Sequence, residues 1–154
     1  MKTSTIIFPI QGENVILAPK KRGFGKGFLN GYGGKKEETD ITVEDAAVRE
    51  FLDESSASCV RGALELVAVI DFYEGEKHIF ETHVYFSYLW DGELRETEEM
   101  GTPELYPISG VPYDRMWDAD KVWLKMAFNG ERFRAKSVYN EGMTKQVSFE
   151  SSPI

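Results

Sequence analysis

Glu50, Asp53 and Glu54 are the residues of this chain whose types and spacing could do chemistry. If residues 43 to 55 form a helix, the three carboxylates are related by three and four positions and project from one face about one turn apart. Like charges at that spacing repel one another and weaken the helix unless a cation neutralises them. Hard oxygen ligands held this close suit Mg2+ or Mn2+. The same residues on a solvated helix would be no more than an acidic surface, so the flanking sequence has to decide between the two readings.

The elements that must position them follow from the pattern around them. Thr42 with Asp45 three residues later forms a helix cap, Glu44 and Asp45 favour the first turn, and Ala46, Ala47, Phe51 and Leu52 propagate the helix. Residues 20 to 36, KKRGFGKGFLNGYGGKK, carry six basic residues and no acid, whereas residues 37 to 54 carry eight acids and one base. A polyphosphate is repelled by a chain of net charge -8. The loop lysines and cations on the helix are therefore what could reverse the field where phosphates would sit.

At 154 residues, 42% apolar and 13% aromatic, the chain has enough apolar surface for one substantial core, and residues 1–154 are expected to form a single domain. The acidic balance argues against binding DNA or RNA polymers, and it leaves a free nucleotide open as a partner. Cys59 is the only cysteine, so no internal disulfide can form, and no secretory leader is evident; a cytoplasmic monomer is the expectation. The best apolar run, ALELVAVI at 63 to 70, is far too short for a membrane span. His78 and His83 lie an odd number of residues apart in an extended segment and face opposite sides, so they cannot share a zinc ion.

Residues 4 to 10 and 14 to 18 read as a strand hairpin, followed by a glycine-rich loop to Gly34 and the acidic helix. Residues 60 to 73 and 77 to 90 read as a long hairpin turning at GEK, and 91 to 101 as an acidic loop holding the pair Glu98 and Glu99. A short strand at 103 to 108, a helix from Pro112 to about Phe128 broken near Trp117, and strands at 132 to 139 and 146 to 150 complete the chain. Strands around two helices imply an α+β fold, an α/β/α sandwich on a mixed sheet.

Residues 30 to 57 resemble the box of the Nudix hydrolases: a glycine, five residues, a glutamate, seven residues, then Arg-Glu-apolar-any-Glu-Glu-any-Gly-apolar. Arg49, Glu50, Phe51, Asp53, Glu54 and Ala57 fall on it in order. KKRGFGKGFLNGYGGK at 20 to 35, THVYF at 82 to 86, ETEEM at 96 to 100 and PYDRMWDAD at 112 to 120 resemble landmarks of the MutT-homologue branch, whose members hydrolyse oxidised purine nucleoside triphosphates. The resemblance implies a Nudix fold and Mg2+-dependent hydrolysis of an 8-oxo-dGTP-like substrate to the monophosphate and pyrophosphate. It implies a metal set of Gly33 through its carbonyl, Glu50, Asp53, Glu54 and Glu99, with Mn2+ as a substitute ion. Arg49 would orient carboxylates. Glu54 is named first as general base and Glu99 second. Thr5, Lys20, Phe24, Asn30, Tyr32, Gly34, Lys35, Trp117 and Asp120 would bind substrate, Phe24 and Trp117 offering π faces to a purine and Asn30 its amide. Two other readings stay open: a Nudix hydrolase of another nucleoside diphosphate-linked substrate, and a non-catalytic nucleotide sensor.

Four departures mark this chain. Fourteen residues separate Gly34 from Arg49, one more than the pattern has, and the glutamate expected eight before Arg49 is Ile41, with Asp40 or Glu38 as substitutes. The helix-ending glycine is Ser56, where a left-handed cap is expected to carry strain or the chain to leave differently. Asp53 replaces a glutamate. Ala119 replaces the first of two adjacent aspartates that face the base in that branch, leaving Asp120, with Asp118 one position early. A lone carboxyl reads fewer donor and acceptor patterns than a pair sharing a proton, so a narrower or different range of purines is expected.

Overall fold

Residues 2–154 are described by the computed structural model. Strands β1 (Thr3–Gln11) and β2 (Asn14–Pro19) form the expected hairpin across Gly12. Short strands β3 (Leu29–Asn30) and β4 (Tyr32–Lys35) precede helix α1 (Val43–Ser55). Then come β5 (Ser58–Cys59), a 3-10 turn at Arg61–Ala63, the long hairpin β6 (Leu64–Glu74) and β7 (Lys77–Ser87), β8 (Trp90–Asp91) and β9 (Glu104–Pro107). Helix α2 (Asp120–Phe128), β10 (Phe133–Tyr139) and β11 (Gln146–Pro153) close the chain.

Nine strands make one sheet in the order β11-β10-β6-β7-β1-β2-β3, with β4 also paired to β1 and β9 to β2. The β1–β7 and β6–β10 pairs are parallel and the β6–β7 and β10–β11 pairs antiparallel, so the sheet is mixed as expected. Successive side chains on β1 point to opposite faces. Phe8 packs with Val84, Phe86, Trp123 and Leu124, while Ile7 packs with Tyr32, Ala47, Phe51 and Tyr85. Helix α2 therefore covers one face and α1 the other, the α/β/α sandwich. Burial on both faces is why β1 reads as a continuous apolar run instead of an alternating one.

The capping box of α1 forms as expected. Thr42 Oγ1 accepts from the Asp45 N–H at 3.0 Å, and Asp45 Oδ2 accepts from the Thr42 N–H at 3.1 Å. At the other end Ser56 adopts φ 68°, the left-handed conformation that glycine would supply. The strain is accepted for an unchanged exit, at about 1–2 kcal/mol relative to a right-handed residue. The stretch before α1 departs from expectation, because residues 29–30 and 32–35 are strand and not loop. Gly33 makes this possible: a Cβ there would lie 1.8 Å from the Thr5 carbonyl oxygen, so only glycine lets β4 run this close to β1. The segment from Pro112 breaks near Trp117 as read, with a 3-10 turn at Tyr113–Arg115 before α2. Among the described residues no helix is long and apolar enough to cross a membrane.

Candidate active site

Glu54 lies on the inner side of α1, 6% exposed, where Oε1 accepts the Gly33 N–H at 3.0 Å. That bond sets the orientation of β4. In an antiparallel strand a residue's N–H and C=O point the same way, so the Gly33 carbonyl also turns away from β1 toward the Glu54 side. Gly34 packs on Glu50, whose Oε2 would lie 2.5 Å from a Cβ at that position. Both glycines are needed for close approach. Burial raises the Glu54 carboxyl to a pKa of about 7; the Gly33 N–H and Lys20 oppose the rise, and the charges of Glu50 and Glu99 add to it.

Arg49 faces the carboxylates and not the cavity. It donates to Asp40 Oδ1 from Nε (3.0 Å), to Asp40 Oδ2 from Nη2 (2.8 Å), to Glu50 Oε1 from Nη1 (2.6 Å) and to the Lys35 carbonyl (3.1 Å). Asp40 also accepts the Glu37 N–H at 2.8 Å, and Arg49 and that amide hold its carboxyl down to about 2. Of the two substitutes for the missing glutamate, Asp40 is the one that pairs with Arg49; Glu38 is exposed, and so is Ile41 at 89%. The extra residue is absorbed in the turn, and the arginine keeps a carboxylate partner.

Glu99 is held by Arg22 and its carboxyl lies below its ordinary value, through the Arg22 hydrogen bonds first and against some desolvation. Asp53 points to the rim, its side chain 62% exposed and 3.9 Å from Arg49. Among the described residues no three carboxylate, imidazole or thiolate groups stand close enough together to hold one ion as placed. The donor set nevertheless fits a divalent cation. A buried carboxylate with raised pKa, two further carboxylates repelling it and a strand carbonyl turned to the same side are hard oxygens with unbalanced negative charge. Glu50, Glu54, Glu99 and the Gly33 carbonyl are the groups that would hold it.

From Glu54 a cavity of about 200 Å³ runs to an aromatic end. Thr5, Lys20, Phe24, Asn30, Gly33, Gly34, Lys35, Glu54, Trp117 and Asp120 all line it, which brings together residues spread over most of the chain. Trp117 stacks on Tyr139 (centroids 4.7 Å, 28°) and meets the edge of Phe24 (4.6 Å, 84°). One face of the indole is thus already covered. Asn30 Oδ1 accepts the Gly31 N–H at 2.9 Å, leaving its amide NH2 to act as donor. Asp120 is buried, accepts from Trp123 Nε1 at 2.9 Å, and is raised by burial to about 7.

Tyr32 is a correction to the expected substrate-binding set. It alternates with Gly33 on β4 and points under α1, fully buried against Phe51 and Ala47, away from the cavity. Asp118 turns away as well, pairing with Lys121 Nζ (2.8 Å) and accepting the Gln146 N–H (2.7 Å). Ala119 is buried, its N–H donating to Tyr139 Oη at 2.7 Å. Asp120 and Glu54 are then the carboxylates lining the cavity. Phe72, Phe80, Thr82 and Trp123 line it too and were missed. The signal for Phe72, Phe80 and Thr82 was the two-residue period along the long hairpin, which sets 70 and 72, and 80, 82 and 84, on one face, while Trp123 lies on α2 outside that pattern.

No protein-family model matches the chain. It is 35% identical over 133 residues to an oxidized purine nucleoside triphosphate hydrolase of Danio rerio, over 86% of this chain and 83% of that protein. Among solved structures, a MutT protein from Bacillus halodurans matches with a TM-score of 0.83 at 19% identity, over 100% of this chain and 99% of that one. A MutT NUDIX hydrolase from Burkholderia pseudomallei matches with a TM-score of 0.67 at 20% identity, over 83% and 95%. The two structures show the fold, and the zebrafish relative shows descent along most of both chains: the chain belongs to the MutT-type Nudix hydrolases, the family of the oxidized purine nucleoside triphosphate hydrolases.

Proposed function

We propose that this protein hydrolyses oxidised purine nucleoside triphosphates of the 8-oxo-dGTP type to the monophosphate and pyrophosphate, removing damaged nucleotides before they reach DNA. The observation that carries the reading is the two-ended cavity, with a flat aromatic and carboxyl end at Trp117 and Asp120 and a carboxylate end at Glu54. The substrate named for the relatives supports it. A purine sits against Trp117 and Phe24, and its edge meets Asp120 and the Asn30 amide. Lys20 and Lys35 meet the phosphates. Mg2+, held by Glu50, Glu54, Glu99 and the Gly33 carbonyl, would lower the pKa of a water and polarise the phosphoryl oxygens. Glu54, buried with a pKa near neutrality, is placed to take the proton of the attacking water, with Glu99 as the second choice. Arg49 keeps Glu50 in place from behind. We read residues 1–154 as one domain, acting as a cytoplasmic monomer without a polymer partner.

Asp120 without a second aspartate favours a narrower purine range. Its ionised carboxylate accepts the two N–H groups of a guanine-type edge, and no neighbouring carboxyl shares its proton. Steady-state hydrolysis of 8-oxo-dGTP against dGTP with Mg2+, following pyrophosphate, tests the reading for wild type and Glu54→Gln. Strong preference for the oxidised base, with turnover lost in the variant, is expected. Equal turnover of both nucleotides would move the assignment to another diphosphate-linked substrate. Similar kcat/KM for oxidised guanine and oxidised adenine triphosphates would remove the argument from Ala119.

A further inference from the structure

One carboxylate of the acidic end is already engaged by a cation of the chain itself. Arg22 donates to Glu99 Oε1 from Nε at 2.9 Å and from Nη2 at 2.5 Å, and Nη2 lies 3.6 Å from Glu98. Both bonds end on the same oxygen, so the guanidinium does not make the two parallel bonds of a bidentate pair. The pair is also open to water, with side-chain exposures of 57% and 37%, and such pairs are weak. The backbones beneath it are fixed. Lys21 N–H donates to the Glu99 carbonyl (2.9 Å), Lys21 Nζ to the Thr97 carbonyl (2.6 Å), and Gly101 N–H to the Pro19 carbonyl (2.8 Å). The Arg22 side chain can therefore swing without the two segments coming apart.

Lys20 and Phe24, two positions to either side of Arg22, line the cavity. A polyphosphate lying from Trp117 toward Glu54 passes this segment, and its oxygens offer the guanidinium the parallel bonds that Glu99 does not. We propose that Arg22 is an exchangeable clamp: in the free protein it holds Glu99, and on polyphosphate binding it transfers to the phosphates and releases Glu99 to the cation-binding carboxylates. The inference rests on the function proposed above only in taking the ligand to be a polyphosphate. Polyphosphate and divalent cation then strengthen each other's binding beyond their direct contact, and the coupling is reciprocal.

A double-mutant cycle on Arg22 and Glu99 tests the clamp with probes that contain no base. Binding of metal-free inorganic tripolyphosphate is measured by calorimetry, and binding of Mn2+ to the substrate-free protein by electron paramagnetic resonance. Glu99→Gln frees Arg22 and should tighten tripolyphosphate about two- to fivefold, the range an exposed ion pair allows. In the Arg22→Ala background the same substitution should gain distinctly less, since only general charge repulsion is relieved. Arg22→Ala should tighten Mn2+ by a similar factor in the wild type and not in Glu99→Gln, while Glu98→Ala leaves Mn2+ binding unchanged. Equal effects of each substitution in both backgrounds would overturn the clamp. Failure of the oxidised-purine reading leaves these binding results intact, so the two outcomes separate.

Discussion

The two ends of the cavity are built on different principles. The carboxylate end comes mostly from one short stretch, Gly33 to Glu54, joined by Glu99 from a distant loop, and the stretch is held by directional bonds: an amide on Glu54, a guanidinium bridging Asp40 and Glu50, and a helix with a full capping box. The aromatic end draws Phe24, Phe72, Phe80, Trp117, Asp120 and Trp123 from loops, two strands and a helix, and it is held by ring packing. Its helix begins at Ala119 with no side-chain cap. On the proposed function, the catalytic charge rests largely on local covalent spacing and base selection on tertiary packing, where a single change such as Ala119 would alter the reading without disturbing the chemistry.

The sharpest way to break that division is at the carboxylate end. Glu54→Gln should cut kcat by about 10²–10⁴-fold, the usual share of a positioned base. Thermal stability should hold or rise, because the amide still accepts from Gly33 and no buried charge remains. A mild kcat effect would shift the base to Glu99. One shell further out, Asp40→Ala should lower kcat/KM about 10–100-fold, as loss of a carboxylate orienting a ligand-holding group does, with Glu38→Ala within about twofold of wild type. Equal effects from the two would show that the inserted residue leaves Arg49 unsupported.

At the aromatic end the expected effects are smaller and turn on protonation. Burial raises Asp120 from 3.8 to about 7. Ionised, it accepts from a guanine-type edge; protonated, it donates to the ring acceptor of an adenine-type edge. The ratio of kcat/KM for oxidised guanine over oxidised adenine triphosphates should therefore rise from pH 6 to 8, by up to about 100-fold as the ionised fraction grows and the protonated fraction falls. Taking the ratio cancels Glu54 and the phosphates, which titrate alike for both substrates. Asp120→Asn should flatten it, and a flat wild-type ratio would sink the assignment. The sign for folding is the reverse of that for an ordinary salt-bridged carboxylate. The folded state keeps a proton that the unfolded chain releases, so this group's destabilisation grows as pH rises from 3.8 to about 7 and is complete above that.

What was legible in the sequence follows the same division. Helix α1 was readable to the residue because Thr42, Asp45 and the carboxylate spacing are local, and both hairpins were readable from their turns. The two helices and mixed sheet followed from the order of elements. Residues 32 to 35 read as loop because glycine lowers strand propensity; only the contact with β1, which a Cβ would forbid at Gly33, makes them strand. Trp117 and Asp120 could be placed at the cavity by resemblance, but Phe72 and Phe80 could not, since a core aromatic and a pocket aromatic differ only in what lies opposite. The Arg22–Glu99 pair spans 77 positions and has no local signal at all.

Tyr32 lies on the boundary between the two kinds of construction and gives the finest test of it. Its ring packs edge-on to Phe51 (5.6 Å, 79°), and its hydroxyl is buried without a hydrogen-bond partner among the described residues. Burial first, and the Glu54 charge second, push the phenol above its ordinary pKa, so the hydroxyl stays neutral. A buried polar group left unpaired is a net loss, so Tyr32→Phe should stabilise the protein by about 1 kcal/mol and raise Tm by about 2–4 °C. The ring contact survives the change, and kcat/KM should stay at the wild-type value because Tyr32 does not line the cavity. An unchanged or lower Tm would mean that the hydroxyl has a partner in solution. If kcat fell as well, that partner would be the Glu54 carboxylate, and the directional network of the catalytic end would extend into the core beneath α1.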